Sequence, residues 1–228
     1  MLVKWGSIIV KGSGKLGGHV FSSGASGASV HTLARARNPQ SRNQMAVRSR
    51  FTELTQSWRD LTENERESWY DAESSFSRVN RFGDVVTLSG KNLYESLNTN
   101  RQILGLSVIN MAPLPAEIPK NRVTEVEISV STIQIEIFGD FEPSTTYVVV
   151  ATPGLSNGVR FFNNSIRNIG IGPTDAAGAR IPGVQTQYGN YRKQFGTPIP
   201  GTKTFVGTYS VSTSGQRSPI SVVQAVFI

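Results

Sequence analysis

Val47-Arg48-Ser49-Arg50-Phe51-Thr52-Glu53-Leu54-Thr55-Gln56-Ser57-Trp58-Arg59-Asp60-Leu61-Thr62 decides how the chain is read. Val47, Phe51, Leu54, Trp58 and Leu61 recur at steps of four, three, four and three. That spacing puts all five on one narrow stripe of a helix, the seam of a coiled-coil or hairpin contact. Thr62 then interrupts, with Glu65 three residues on. The threonine hydroxyl can accept the Glu65 backbone N–H while the carboxylate reaches back, a capping box that opens a second helix. Trp69, Ala72 and Phe76 give that helix its own apolar stripe. With so short a connection the two helices must fold back on one another as an antiparallel pair.

Outward from this pair, the chain changes character on both sides. Residues 1–37 read as an extended arm: Gly6, Gly12, Gly14, Gly17, Gly18, Gly24 and Gly27 are too dense for a helix, and Ser22 to Ser29 is nearly low-complexity. The strand-like pieces Ile8-Ile9-Val10 and His19-Val20-Phe21 cannot form a core alone. They are expected to pair with a neighbour's sheet edge or with the β domain. Downstream, Asn80-Arg81-Phe82-Gly83-Asp84 reads as a turn and Val85 to Leu88 as a short extended piece. Ser89 introduces a third helix with Leu93, Leu97, Asn100 and Leu104 on one face and Gly105 as its stop. Trp58, Trp69, Leu93 and Leu97 are its expected shared core, which makes 38–106 a helical domain. The Pro-rich stretch from Met111 to Pro119 marks residues 107–122 as a stiff linker.

From Val123 the pattern has period two. Val126, Ile128 and Val130 alternate with polar residues, and Ile133, Ile135 and Ile137 continue with the parity switched, so a turn or bulge falls near Ser131-Thr132. Tyr147 to Val150 reads as a strand buried on both faces. Phe205, Tyr209 and Val211 alternate before the turn Thr213-Ser214-Gly215-Gln216. Strands and turns at this spacing over 123–228 predict a β-sandwich of immunoglobulin or fibronectin-III type. The fold class is therefore α+β: a Gly-rich arm, a small three-helix region and a C-terminal sandwich expected to fold alone.

Composition narrows the chemistry. The chain has 228 residues, 38% hydrophobic and 17% charged, with 22 Gly and 11 Pro, a mix that suits a turn-rich, largely β protein. It has no cysteine, which excludes disulfides and thiolate chemistry. No apolar run approaches a membrane span or a signal sequence, so the reading is a protein used inside a cell, without a membrane. The net charge of +7 sits at one end. Lys4, Lys11, Lys15, Arg35, Arg37, Arg42, Arg48, Arg50 and Arg59 face only Glu53 and Asp60 in the first 60 residues, and the rest of the chain is balanced. A basic arm on a neutral body is expected to meet something acidic, either nucleic acid or another protein's acidic surface. Lys4, Lys11, Lys15, Arg35, Arg37 and Arg42 are the candidate contacts.

Two apparent motifs do not survive inspection. Gly12-Ser13-Gly14-Lys15-Leu16-Gly17 matches the dinucleotide fingerprint, but no helix pattern follows to hold a pyrophosphate, and no acid follows to hold a ribose. His19 and His31 stand twelve apart with no acid nearby, a poor metal pair. No nucleophile elbow, paired-histidine motif or acidic metal cluster is legible, and Glu63, Glu65, Glu67, Asp71 and Glu73 read as a solvated helix face. No catalytic, cofactor or metal residues are assigned.

Several short segments resemble one family. They are Gly14-Lys15-Leu16-Gly17-Gly18-His19-Val20-Phe21, Asn38-Pro39-Gln40 with Gln44, Arg48 and Phe51, and Trp58-Arg59-Asp60-Leu61-Thr62. Arg66 with Trp69, and Leu88-Ser89-Gly90 with Tyr94 and Asn98, extend the set. Together with Ala151-Thr152-Pro153 and Gly215-Gln216-Arg217-Ser218, they resemble small proteins encoded by tailed bacteriophages and prophages. The Ser-Gly stretch from Ser22 to Ser29 is smaller and less charged than such a member would show. The resemblance implies a virion structural protein, not an enzyme: a head–tail connector, a tail component or a capsid-bound auxiliary protein. Its partners would be portal, connector, tail or major capsid protein, and copies of itself. The alternative is a basic DNA-packaging or nucleic-acid-binding protein.

Overall fold

The structure is a computed structural model that describes residues 2–4, 12–24, 27–34, 38–80, 82–118, 122–129, 134–140, 146–162, 165–173 and 185–227. The architecture is mixed α+β, in two compact units, Met1–Glu95 and Ser96–Ile228.

In the first unit, the capping logic of the sequence is realised. Helix α1 spans Arg42–Asp60, and Ser41 caps its start by accepting the Gln44 N–H. Helix α2 spans Glu63–Asp71 and opens on the expected box: Thr62 Oγ1 accepts the Glu65 N–H at 3.4 Å and Glu65 Oε2 accepts the Thr62 N–H at 2.8 Å. Arg66 adds a tie that periodicity cannot show, donating to the carbonyls of Trp58 and Arg59 at the end of α1. Each bond satisfies a helix-end group left without an intrahelical partner. Thr62→Ala is therefore expected to destabilise this unit by about 1 kcal/mol, read as a lower midpoint in urea unfolding followed by the helical circular dichroism signal.

Helix α3, Gly90–Ile103, starts where Glu73 Oε1 accepts the Gly90 N–H at 2.6 Å, and Leu93 N–H returns to Ser89 O. The division between units falls inside this helix. Leu93 and Tyr94 belong to the first unit, whose buried residues include Leu54, Trp58, Leu61 and Trp69. Tyr94, not singled out as core in the sequence, lies against both indoles, with ring centroids 5.3 Å from Trp58 and 5.2 Å from Trp69. Between α2 and α3 a short hairpin pairs β5, Arg78–Val79, with β6, Val85–Val86, around the expected turn. Asn80 Oδ1 accepts the N–H groups of Phe82 and Asp84 there.

The expected extended arm is corrected. Its described parts form an antiparallel sheet from this chain alone, in the order β1 (Leu2–Val3), β4 (Gly27–Thr32), β3 (His19–Gly24), β2 (Gly14–Leu16). Glycine made the difference. Gly17-Gly18 forms a two-residue loop between the paired Leu16 and His19, and Gly17 takes φ 57°, as tight hairpin turns require. So His19-Val20-Phe21 finds its partners within the chain. Ile8-Ile9-Val10 lies outside the described residues.

The second unit is built on a four-stranded antiparallel sheet. Its order is β10 (Arg167–Pro173), β9 (Thr146–Ala151), β11 (Lys203–Val211), β12 (Ser221–Val226). Both faces are covered. Tyr147, Val149, Ala151 and Val206 face a cluster with Val123, Val126 and Ile128, while Val148, Val150, Tyr209 and Val211 face Ile103, Leu104 and Ile166. The expected alternation of β11 is thereby corrected, because every one of its residues is buried. The hairpin β7 (Arg122–Ser129) and β8 (Gln134–Asp140) accounts for the parity switch, its register pairing Val126 with Ile137 and Ile128 with Ile135. The turn expected near Ser131-Thr132 lies outside the described residues.

Helix α4, Gln185–Phe195, is a correction to the all-strand reading of this half. Tyr188, Tyr191 and Phe195 line its buried side at steps of three and four. Burial pushes the Tyr191 phenol up to about 12.

The Pro-rich stretch read as a linker is held to this same unit. Gln216 Nε2 donates to the Leu114 carbonyl at 2.8 Å, and its Oε1 accepts the Ala116 N–H at 2.8 Å. Just upstream, the wholly buried Asn98 makes the same two-way bond with Ile109.

Candidate assembly surface

Of the six cations proposed as contacts, the three among the described residues do not converge. Lys11, Arg35 and Arg37 lie outside the described residues. Lys4 follows β1 and Lys15 sits in β2, the two opposite edges of the N-terminal sheet. Arg42 opens α1 and is exposed. What gathers instead is a local clasp. Lys4 Nζ stands 3.0 Å from Asp84 Oδ1 and 5.4 Å from the centre of the Phe82 ring, both on the β5–β6 turn. The acidic contact expected for Lys4 is thus supplied by its own chain.

The hydrogen bond from Lys4, then that from Asn80, holds the Asp84 carboxyl below the usual carboxylate value. The clasp therefore stabilises the folded chain only above the ordinary carboxylate range. It is lost as pH falls through the depressed value, and salt weakens it because both groups are exposed. Lys4→Met should raise the Asp84 pKa toward the ordinary value. An NMR titration of the side-chain carboxyl reads this directly, and an unmoved value would mean the clasp does not form.

Two surfaces that the charge pattern did not reveal are apolar. In the N-terminal sheet no described residue of β2, β3 or β4 is buried; Val20, Phe21 and Val30 are only half-covered and Leu16 is exposed. On α1, Leu54 and Trp58 are buried, yet Val47 and Phe51 on the same stripe are 49% and 47% exposed. Periodicity gave the direction of that stripe but not its cover.

The nucleotide and metal readings meet their geometry here. Gly12 to Gly17 runs into a β-hairpin, not a helix, so no helix N-terminus stands behind those glycines. Val20, next to His19, is the residue opposite His31, so the two imidazoles leave opposite faces of the sheet. Among the described residues no group of three or more His, Cys, Asp or Glu could hold a metal ion, and no helix is long and apolar enough to cross a membrane. The tyrosines whose pKa is raised, Tyr94, Tyr191 and Tyr209, are raised first by burial in packing clusters.

The residues that carry the family resemblance mostly hold the fold. Trp58 and Trp69 pack, Arg66 caps α1, and Asn98 and Gln216 clamp backbone. Thr152 Oγ1 accepts the Phe205 N–H at 3.0 Å, and Ser218 Oγ accepts that of Ser210. Comparison of the chain with family models, with curated proteins and with solved structures gives no match.

Proposed function

We propose that the chain is a structural component of a tailed-bacteriophage particle, at the head–tail connection, in the tail or bound to the capsid. The observation that carries this reading is the N-terminal sheet β1–β4. A sheet needs a second layer over an apolar face to be stable, and this one pairs with no further described strand at β1 or β2 and has no buried residue in β2–β4. A neighbouring protein supplies the missing layer, and Lys15 on the β2 edge offers it a cation. The resemblance to phage-encoded proteins points the same way.

The C-terminal half is proposed as an immunoglobulin-like sandwich that serves as a rigid module. In support, the β7–β8 hairpin shares one core with the four-stranded antiparallel sheet. Helix α4 is an addition to that plan.

The test is incorporation. Particles made with full-length protein should contain it, and those made with residues 1–37 deleted should lack it while the truncated chain keeps its β-type circular dichroism. Normal incorporation of the truncation would overturn the role of the sheet. The basic first half supports a second reading, nucleic-acid binding, whose affinity would fall steeply with salt in proportion to the phosphates contacted. Binding that is absent at low salt removes it.

A further inference from the structure

The outer half of α1 is an amphipathic surface that no described residue covers fully, and its charge identifies what would fit it. Val47 and Phe51 continue the stripe of Leu54 and Trp58, but they project past the buried part of the helix and stay about half exposed. Arg50 flanks them on one side and Arg48 lies on the other, while Arg42 falls on the far side of the helix. Glu53 is the first acid in the sequence. Arg48 is engaged with Asn38 Oδ1 at 2.8 Å, which leaves Arg50 as the cation beside the stripe. A second outer half packed on this one would set arginine against arginine, which disfavours a symmetric α1–α1 contact.

The complementary surface is present on α2. Glu63, Glu67 and Tyr70, at steps of four and three, share one exposed face, with Asp71 beside it. Tyr70 leaves 53% of its surface to solvent while its ring edge rests on Trp58. The one cation of α2, Arg66, is turned inward to the carbonyls of α1. The face is therefore acidic around an aromatic centre, the counterpart of a basic face around Val47 and Phe51.

We propose that the outer half of α1 docks on the α2 face of a second copy of this chain, Phe51 and Val47 against Tyr70 and Arg50 against Glu63 and Glu67. Exchanged between two copies, the contact closes a dimer; passed on in one direction, it builds a ring or filament. The inference does not depend on the phage reading, since it concerns the isolated protein.

Sedimentation equilibrium of the full chain tests it. The wild type is expected to self-associate with an affinity that weakens as salt rises. Arg50→Glu and Glu67→Arg should each weaken association about tenfold, through a repulsive pair at the contact. The double exchange, Arg50→Glu with Glu67→Arg, should restore most of it. Phe51→Ser should abolish association while the helical circular dichroism of the folded chain is kept, its thermal midpoint no longer depending on protein concentration. A wild type monomeric at every concentration would overturn the proposal in favour of a foreign partner. Tighter association of Arg50→Glu alone would overturn it in favour of an α1–α1 contact. Failure of the double exchange to restore what the single changes lose would show that α2 is not the docking face.

Discussion

Trp69→Ala is expected to cost about 3–5 kcal/mol and to unfold the N-terminal helical region at urea concentrations the wild type survives. Trp69 has no exposed surface and meets Tyr94 edge-on at 5.2 Å, in a cluster that includes Trp58. Removing it takes away a large apolar burial and leaves a void that α1, α2 and α3 cannot fill without moving their caps. The instructive comparison is Phe51→Ala. Both aromatic positions lie on apolar stripes in the sequence, but Phe51 is half exposed, and its loss should cost only about 1 kcal/mol. Urea unfolding of the two variants separates a packed residue from a displayed one. Equal losses would mean that Phe51 is buried after all and that α1 has no free outer face.

The second large effect is expected in the other unit, at Gly215. This residue has φ 83°, and an added Cβ would collide with the backbone carbonyl of Leu97. Its own carbonyl accepts from Asn100 Nδ2 at 2.7 Å, which fixes the turn against the helix. Alanine would meet both left-handed strain and a clash with backbone that cannot rotate away, for a loss of about 2–4 kcal/mol. Gly105 provides the control. It has φ 73° but open space where a Cβ would sit. Gly105→Ala should carry only the conformational cost, about 1 kcal/mol. The difference between the two measures the contact of the 212–216 turn with α3, and equal losses would contradict that contact.

What the sequence disclosed, and what it withheld, follows from range. The α1–α2 pair and its capping box rest on signals within four residues, so Thr62, Glu65 and the stripe could be read directly. Helix α4 had the same kind of signal in Tyr188, Tyr191 and Phe195, but the surrounding strand patterns and Gly189 obscured it. The role of Gln216 was not legible, because its partners Leu114 and Ala116 lie about a hundred positions away. The same holds for Lys4, whose acidic partner is Asp84. Charge counting found the basic end of the chain correctly, but it could not tell a cation clasped internally from one offered to a partner. Nor could the spacing of Val47 and Phe51 show that the helix outruns its cover.

The central claim is that the N-terminal sheet is completed by a neighbour in the particle. Hydrogen exchange measured on the isolated chain and on purified particles tests it most directly. In the isolated chain the amides of β2, β3 and β4 should exchange far faster than those of β9 and β11, which are buried on both faces. In particles the N-terminal strands should gain strong protection while β9 and β11 change little. Protection of β2–β4 equal to that of β9 and β11 in the free chain, or no gain on incorporation, would contradict the account.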